Sequence, residues 1–141
     1  MIVYAETSAV IPLIKKEPTS ESLRSYFGDL INDGHLLLTA RLTETELRRT
    51  AHRYGIPQTF ATAALEALAV EEMTPAHFKL AGTIGDASLR SLDALHVAVA
   101  ASTGCTAVIT LDKRVEEAAD SVGIPALDPT RPAKRGHPPL I

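Results

Sequence analysis

Glu6, Glu46, Asp93 and Asp112 are the residues of this chain whose type and placing could do chemistry. Each lies where a strand pattern hands over to a helix pattern, or on a helix near such a junction. An alternating fold could therefore carry all of them to one crevice. Carboxylates gathered in a small pocket raise one another's pKa and resist ionising together unless something cancels their repulsion. Mg²⁺ or Mn²⁺ suits such a set, because hard cations take oxygen ligands, usually one or two direct carboxylates with several waters. They also hold phosphate oxygens and activate water, so the reaction favoured is phosphodiester hydrolysis. Glu6, Asp93 and Asp112 would bind the metal directly or through water, and Glu46 would position water or accept its proton.

The elements that must position these acids follow from periodicity and punctuation. A first strand is expected at Ile2 to Ala5, then a short helix from Ser8 to Lys15 with Ser8 as its cap, and a turn at Glu17-Pro18. Ser20 caps a second helix that Asp33-Gly34 ends, and strand two covers Leu36 to Leu38. Thr39 caps a third helix reaching Gly55, and Pro57 opens a fourth to about Leu68. A strand near Val70 to Met73, a helix after Pro75 and a loop around Gly85-Asp86 follow. Ser91 caps a helix through Leu92 to Ala100 that is apolar nearly all round and so buried between neighbours. Ala107 to Thr110 reads as a central strand, Lys113 to Val122 as a helix, and Pro125 to Leu127 as a last strand.

Strands alternating with helices imply right-handed βαβ units: an α/β fold with a mostly parallel sheet covered on both faces. Ligands of such sheets sit beyond the carboxyl ends of the strands, where the winding reverses. Strand order 3-2-1-4-5 would make the first and fourth strands central neighbours, and Glu6 and Asp112 would share that crevice. Asp93 and Glu46, on the helices before the fourth strand and after the second, can point to the same end.

The 141 residues, 45% of them apolar, suit one compact domain. A formal charge of −3 excludes a uniformly basic nucleic-acid surface but not a local basic patch. Cys105 is the only cysteine, which excludes an internal disulfide framework and a CxxC zinc or redox motif. The amino terminus lacks the basic flank and apolar length of a signal peptide, and the apolar run near residues 94–101 is too short to span a bilayer. A cytoplasmic protein without membrane attachment is expected. Residues 129–141 are proline-rich and basic and read as an extended or disordered tail on a domain of residues 1–128.

Tyr4-Ala5-Glu6-Thr7-Ser8-Ala9, Thr45-Glu46-Leu47-Arg48-Arg49, the run from Leu89 to Ala98 and Val108-Ile109-Thr110-Leu111-Asp112-Lys113-Arg114 resemble, in order, the motifs of PIN-domain proteins, particularly VapC-type toxins. The most specific part is Leu-Arg-Ser-Leu-Asp-Ala-Leu-His followed at the right distance by Thr-Leu-Asp-Lys-Arg. The resemblance implies a three-layer α/β/α sandwich and a Mg²⁺-dependent endoribonuclease, commonly dimeric and restrained by a VapB-type antitoxin. It implies an acidic quartet at Glu6, Glu46, Asp93 and Asp112, with Thr110 and Ser8 in support. Ile11, Ile14, Leu23 and Phe27 are candidates to line an antitoxin groove between the N-terminal helices. Glu6 departs from the family's first motif, which carries Asp, and the extra methylene moves the carboxylate by on the order of 1 Å.

Plainer roles compete at each position. Asp93 could complement a helix dipole, Asp112 could cap a helix, and Glu46 could pair with Arg49 on the surface. His96 reads as a packed or hydrogen-bonded core histidine and Cys105 as a small buried hydrophobe. Arg48, Arg49, His52 and Arg53 could form a phosphate-contacting face, with Arg90 as a further RNA contact, although Glu44 and Arg48 also make an ordinary i,i+4 pair. Two other functions stand beside the nuclease. A phosphoacceptor signalling domain needs an acceptor Asp after its middle strand, and Val70-Glu71-Glu72-Met73-Thr74 supplies none. A catalytically attenuated PIN-fold binding module would have Glu6 as its sign.

Overall fold

Five strands, β1 (Ile2–Ala5), β2 (Leu36–Ala40), β3 (Ala69–Glu71), β4 (Ala107–Ile109) and β5 (Ala126–Leu127), form one parallel sheet in a computed structural model that describes residues 1–131. Its order is β3-β2-β1-β4-β5, as expected. The helices are α1 (Thr7–Val10), α2 (Ser20–Asn32), α3 (Arg41–Tyr54), α4 (Gln58–Glu66), α5 (Pro75–Ala81), α6 (Ser91–Ser102) and α7 (Lys113–Ser121). Among the described residues no helix is long and apolar enough to cross a membrane.

Successive strand side chains point to opposite faces, and both faces here are buried. Val3, Ala5, Leu37, Ala107 and Ile109 enter one core with α1 to α4. Tyr4, Leu38, Ala40, Val108 and Ala126 enter the other with α6 and α7. The result is a three-layer α/β/α sandwich, and double coverage is why the strands are apolar nearly throughout. The winding runs outward from β1 to β3 and then returns to β4 on the other side of β1, so the reversal lies between β1 and β4.

Several element ends differ from expectation, each for a local reason. The first helix is shorter: Pro12 has no N–H to give an α-helical ladder, and the chain passes into a 3₁₀ turn at Ile11–Leu13. Thr39 is not a helix cap. β2 runs on to Ala40, and the Thr39 hydroxyl donates to Ala5 O at 2.7 Å, tying β2 to β1. Ser20 and Ser91 are the first helical residues of α2 and α6, after Thr19 and Arg90. The Ser20 hydroxyl instead accepts from Glu17 N–H at 2.9 Å and holds the preceding turn. The third strand starts one residue and ends two residues earlier than expected, and α4 stops at Glu66. Gly55 ends α3 as foreseen, at φ 66°, where a side chain would be strained. Of the expected tail, residues 132–141 lie outside the described residues, whereas Arg131 folds back to Glu116 and to Asp128 at 2.9 Å.

The expected lining of an antitoxin groove is corrected. Leu23 and Phe27 are buried in the sheet-facing core because α2 packs its apolar stripe inward, Ile14 joins the same core after the 3₁₀ turn, and Ile11 borders the acidic crevice described below. Leu23→Ala is therefore expected to cost about 2–5 kcal/mol of stability, the usual range for truncating a fully buried leucine. Chemical denaturation would check this, and an unchanged midpoint would count against the packing.

Candidate active site

The site starts where the two central strands end. Glu6 N–H donates to Ile109 O at 3.0 Å, continuing the β1–β4 ladder and setting Glu6 beside Thr110. The Glu6 side chain then curls back. Its Oε2 accepts from Ser8 N–H at 3.0 Å, and its Oε1 accepts from the Ser8 and Thr110 hydroxyls, both at 2.6 Å. Glu6, not Ser8, is the cap of α1. Ser8 Oγ is engaged elsewhere, accepting from Leu111 N–H at 2.8 Å, while Thr110 Oγ1 accepts from Asp112 N–H at 3.0 Å. Thr110 and Ser8 thus lace the ends of β1 and β4 together around a carboxylate that is 5% exposed.

Asp112 caps α7, its Oδ1 accepting from Arg114 N–H at 2.8 Å, so the plainer role is real and coexists with a place in the crevice. Asp93 stands in the first turn of α6. Its carboxyl is pushed above the usual range by burial and then by the negative charges of Asp112 and Glu6. Glu46 does not pair with Arg49. Its Oε1 accepts from Thr7 Oγ1 and faces His96 Nε2, each at 2.7 Å. Burial alone would raise the Glu46 carboxyl, but the His96 and Thr7 hydrogen bonds prevail and hold it below the ordinary range.

All four acids line one cavity of about 540 Å³, as the strand order required. Arg49, Arg53 and Leu92 form part of its wall. The two arginines lie one turn apart on α3, both exposed, with no ion pair among the described residues. Arg48 is turned elsewhere, held by Glu44 at 2.9 Å and by Gln58 and Thr62 at 3.2 Å. Arg90 is exposed at the start of α6 and does not border the cavity. Cys105 is buried, and burial pushes its thiol up. Thr7, which donates to Glu46, and Tyr4, which meets His96, were not singled out in the sequence. The available signal was His96 itself, since a histidine on an apolar helix needs hydrogen-bond partners.

The donor set is one a hard divalent cation accepts: carboxylate and hydroxyl oxygens, with no sulfur and with His96 committed to Tyr4 and Glu46. Among the described residues no three Asp, Glu, His or Cys side chains close around a single point as a metal cage. The hydrogen bonds of Glu6 and Glu46 account for this, leaving Asp93 and Asp112 as the carboxylates least committed. That fits Mg²⁺, which keeps several waters and takes one or two direct carboxylates, better than it fits a cation needing an all-protein cage.

Residues 3–121 match the PIN domain family. Ribonuclease VapC47 of Mycobacterium tuberculosis is 36% identical over 132 residues, covering 91% of this chain and 97% of the relative. Ribonuclease VapC35 of the same organism is 32% identical over 135 residues, covering 91% and 97%. Among solved structures, VapC20 of M. tuberculosis, a sarcin-ricin loop cleaving toxin, superposes with a TM-score of 0.65 at 16% identity, covering 86% of this chain and 95% of that one. VapBC2 from Rickettsia felis, bound to a promoter DNA fragment, gives 0.65 at 13% identity, covering 90% and 98%. The motifs read from the sequence, the strand order and the shared crevice agree with these matches: the chain belongs to the PIN-domain family, among the VapC ribonucleases.

Proposed function

We propose that this chain is a divalent-metal-dependent endoribonuclease whose activity is held off by a VapB-type antitoxin. The observation that carries the reading is the set of four carboxylates on one crevice beyond the carboxyl ends of β1 and β4. The VapC ribonucleases that the chain matches along nearly their whole length support RNA as substrate, and the VapBC2 assembly supports an antitoxin partner. Asp93 and Asp112 would hold Mg²⁺ or Mn²⁺, with Glu6 reaching it through water or its less engaged oxygen. When bound, the cation supplies Lewis acidity toward a phosphate oxygen and a lowered pKa for water.

The residues supply the rest. Glu46, kept ionised by His96 and Thr7, orients the attacking water and accepts its proton as the new P–O bond forms and the P–O bond to the ribose oxygen breaks, the leaving oxygen taking a proton from solvent. Arg49 and Arg53, exposed on the cavity wall, hold neighbouring phosphates, and the unpaired bases of a loop or single strand pass over Leu92. Of the arginines singled out in the sequence, Arg49 and Arg53 carry this role, and Arg48 and Arg90 do not border the cavity.

The test is cleavage of a mixed RNA pool by the purified protein with Mg²⁺, Mn²⁺ or a chelator, with and without a VapB-type antitoxin. Cleavage is expected only with a divalent ion and is expected to stop when the antitoxin is added. Arg49→Ala is expected to weaken RNA binding and to lower the slope of log affinity against log salt by about 0.7, the loss of one phosphate contact on a single strand. An unchanged slope would remove Arg49 from the binding face. The proposed enzyme is also a homodimer, and sedimentation that finds only monomer over a range of concentrations would remove that part. A second reading, an RNA-binding module without cleavage, is favoured by the engagement of Glu6 with Ser8 and Thr110. RNA binding with no cleavage under either metal would select it.

A further inference from the structure

Beneath Glu46 lie two of the most deeply buried polar side chains in the domain, His96 in contact with it and Tyr4 behind His96. Tyr4 on β1 and His96 on α6 are 0% and 1% exposed, with ring centroids 5.8 Å apart and edge to face. Tyr4 Oη lies 2.6 Å from His96 Nδ1, and His96 Nε2 lies 2.7 Å from Glu46 Oε1.

The direction of each hydrogen bond follows from what the ends can do. Tyr4 Oη accepts from Ala40 N–H at 3.3 Å and, as a phenol of pKa about 10, has one O–H proton to give. His96 Nδ1 takes that proton's hydrogen bond, which leaves the ring hydrogen on Nε2, aimed at Glu46. The same Oε1 takes the Thr7 hydroxyl at 2.7 Å. Glu46 Oε1 is thereby filled by two donors, and Oε2, with no hydrogen bond among the described residues, is the oxygen left for chemistry. A glutamate on a helix otherwise moves freely about its side-chain torsions, and Arg49 at i+3 would be its natural surface partner. That ion pair is absent here.

We propose that Tyr4, His96 and Thr7 form a buried clamp that fixes Glu46 and presents its Oε2 alone to the crevice, making Tyr4 and His96 positioning residues for hydrolysis. The inference rests on the nuclease reading for its consequence but not for its geometry. α6 carries Asp93 and His96 three residues apart, so a single helix sets one acid directly and orients another through the clamp.

The test has a spectroscopic arm and a kinetic arm. In metal-free protein, ¹⁵N-labelled histidine spectra are expected to show His96 with its proton on Nε2, slow to exchange, and the signal is expected to shift in Glu46→Gln. Tyr4→Phe is expected to raise the population of the Nδ1–H tautomer. A His96 ring already protonated on Nδ1, or insensitive to both variants, overturns the clamp whether or not the protein cleaves RNA. In the kinetic arm His96→Leu is expected to lower kcat about 10- to 100-fold, the usual consequence of losing a partner that orients a reacting group, with KM for RNA little changed. His96→Gln, which keeps a donor toward Glu46, is expected to restore most of that loss. Equal kcat in the parent, His96→Leu and Tyr4→Phe overturns the positioning role. If His96→Leu does not fold, Tyr4→Phe and the spectra of the parent protein decide. A parent protein that cleaves nothing yet shows the Nε2–H signal shifting in Glu46→Gln retains the clamp and rejects the nuclease.

Discussion

Asp93→Asn and Asp112→Asn are each expected to reduce metal-dependent RNA cleavage by at least about 10³-fold, at roughly 1.4 kcal/mol per tenfold, because each removes a charge needed where phosphate charge builds up. Both are also expected to weaken Mn²⁺ binding measured by titration calorimetry. The fold should survive in both. Asn caps a helix about as well as Asp, so Arg114 N–H keeps its acceptor in Asp112→Asn, and only the favourable meeting of a negative charge with the helix end is lost, about 0.3–1 kcal/mol.

Asp93 goes the other way. Burial and the charges of Asp112 and Glu6 raise its carboxyl above the ordinary value, so the folded state holds that proton more tightly than the unfolded chain. Its favourable contribution is therefore present below the ordinary carboxylate pKa and is lost as the pH rises through the raised value. At neutral pH the ionised group is a net cost, reduced by its partial exposure to solvent, and metal-free Asp93→Asn is expected to melt slightly higher than the parent. Calorimetric scans of the metal-free proteins would show it. Unchanged metal titration in both variants would remove Asp93 and Asp112 from the site.

The convergence of these acids was legible in the sequence because it depends on topology. Alternating strands and helices fix a parallel sheet, and residues just after the first and fourth strands must then meet at its carboxyl edge. Side-chain detail was less legible where one residue type can satisfy its hydrogen bonds in two ways. Thr39 and Ser91 carry the composition of helix caps, yet Thr39 is taken across the sheet by Ala5 O, a partner distant in sequence. Glu6 took the cap that Ser8 was expected to supply because Thr110, more than a hundred positions away, gives a second donor that bends the longer side chain back. Likewise, i+3 spacing pointed Glu46 at Arg49, while the buried donors that captured it, Thr7 and His96, lie on α1 and α6. Helix-local rules read the chain well wherever no long-range donor competes.

Glu6→Asp is expected to raise Mg²⁺-dependent cleavage about tenfold, and Glu6→Gln to lower it by about as much or more, each step worth roughly 1.4 kcal/mol. A carboxylate has about four lone-pair positions. Three of the positions on Glu6 are already used by Ser8 N–H, Ser8 Oγ and Thr110 Oγ1. The longer side chain makes this possible by curling over its own helix end, at the expense of the crevice. Aspartate at the same place can still cap Ser8 N–H, as Asp does at most helix starts, but is too short to be drawn equally far toward Thr110. It would turn its other oxygen to the site, a displacement of about 1 Å of the kind that can change rates by up to about 10²-fold. Mg²⁺ demands near-ideal octahedral geometry, so the gain should be largest with it and smaller with Mn²⁺. Gln keeps an oxygen for Ser8 N–H but carries no charge, so its fold should hold while its metal affinity falls. The three proteins would be compared side by side with each metal, alongside melting curves. Equal cleavage by all three would reduce Glu6 to a helix cap. Absence of cleavage in all three with the fold intact, together with retained RNA binding, would leave the binding module as the function.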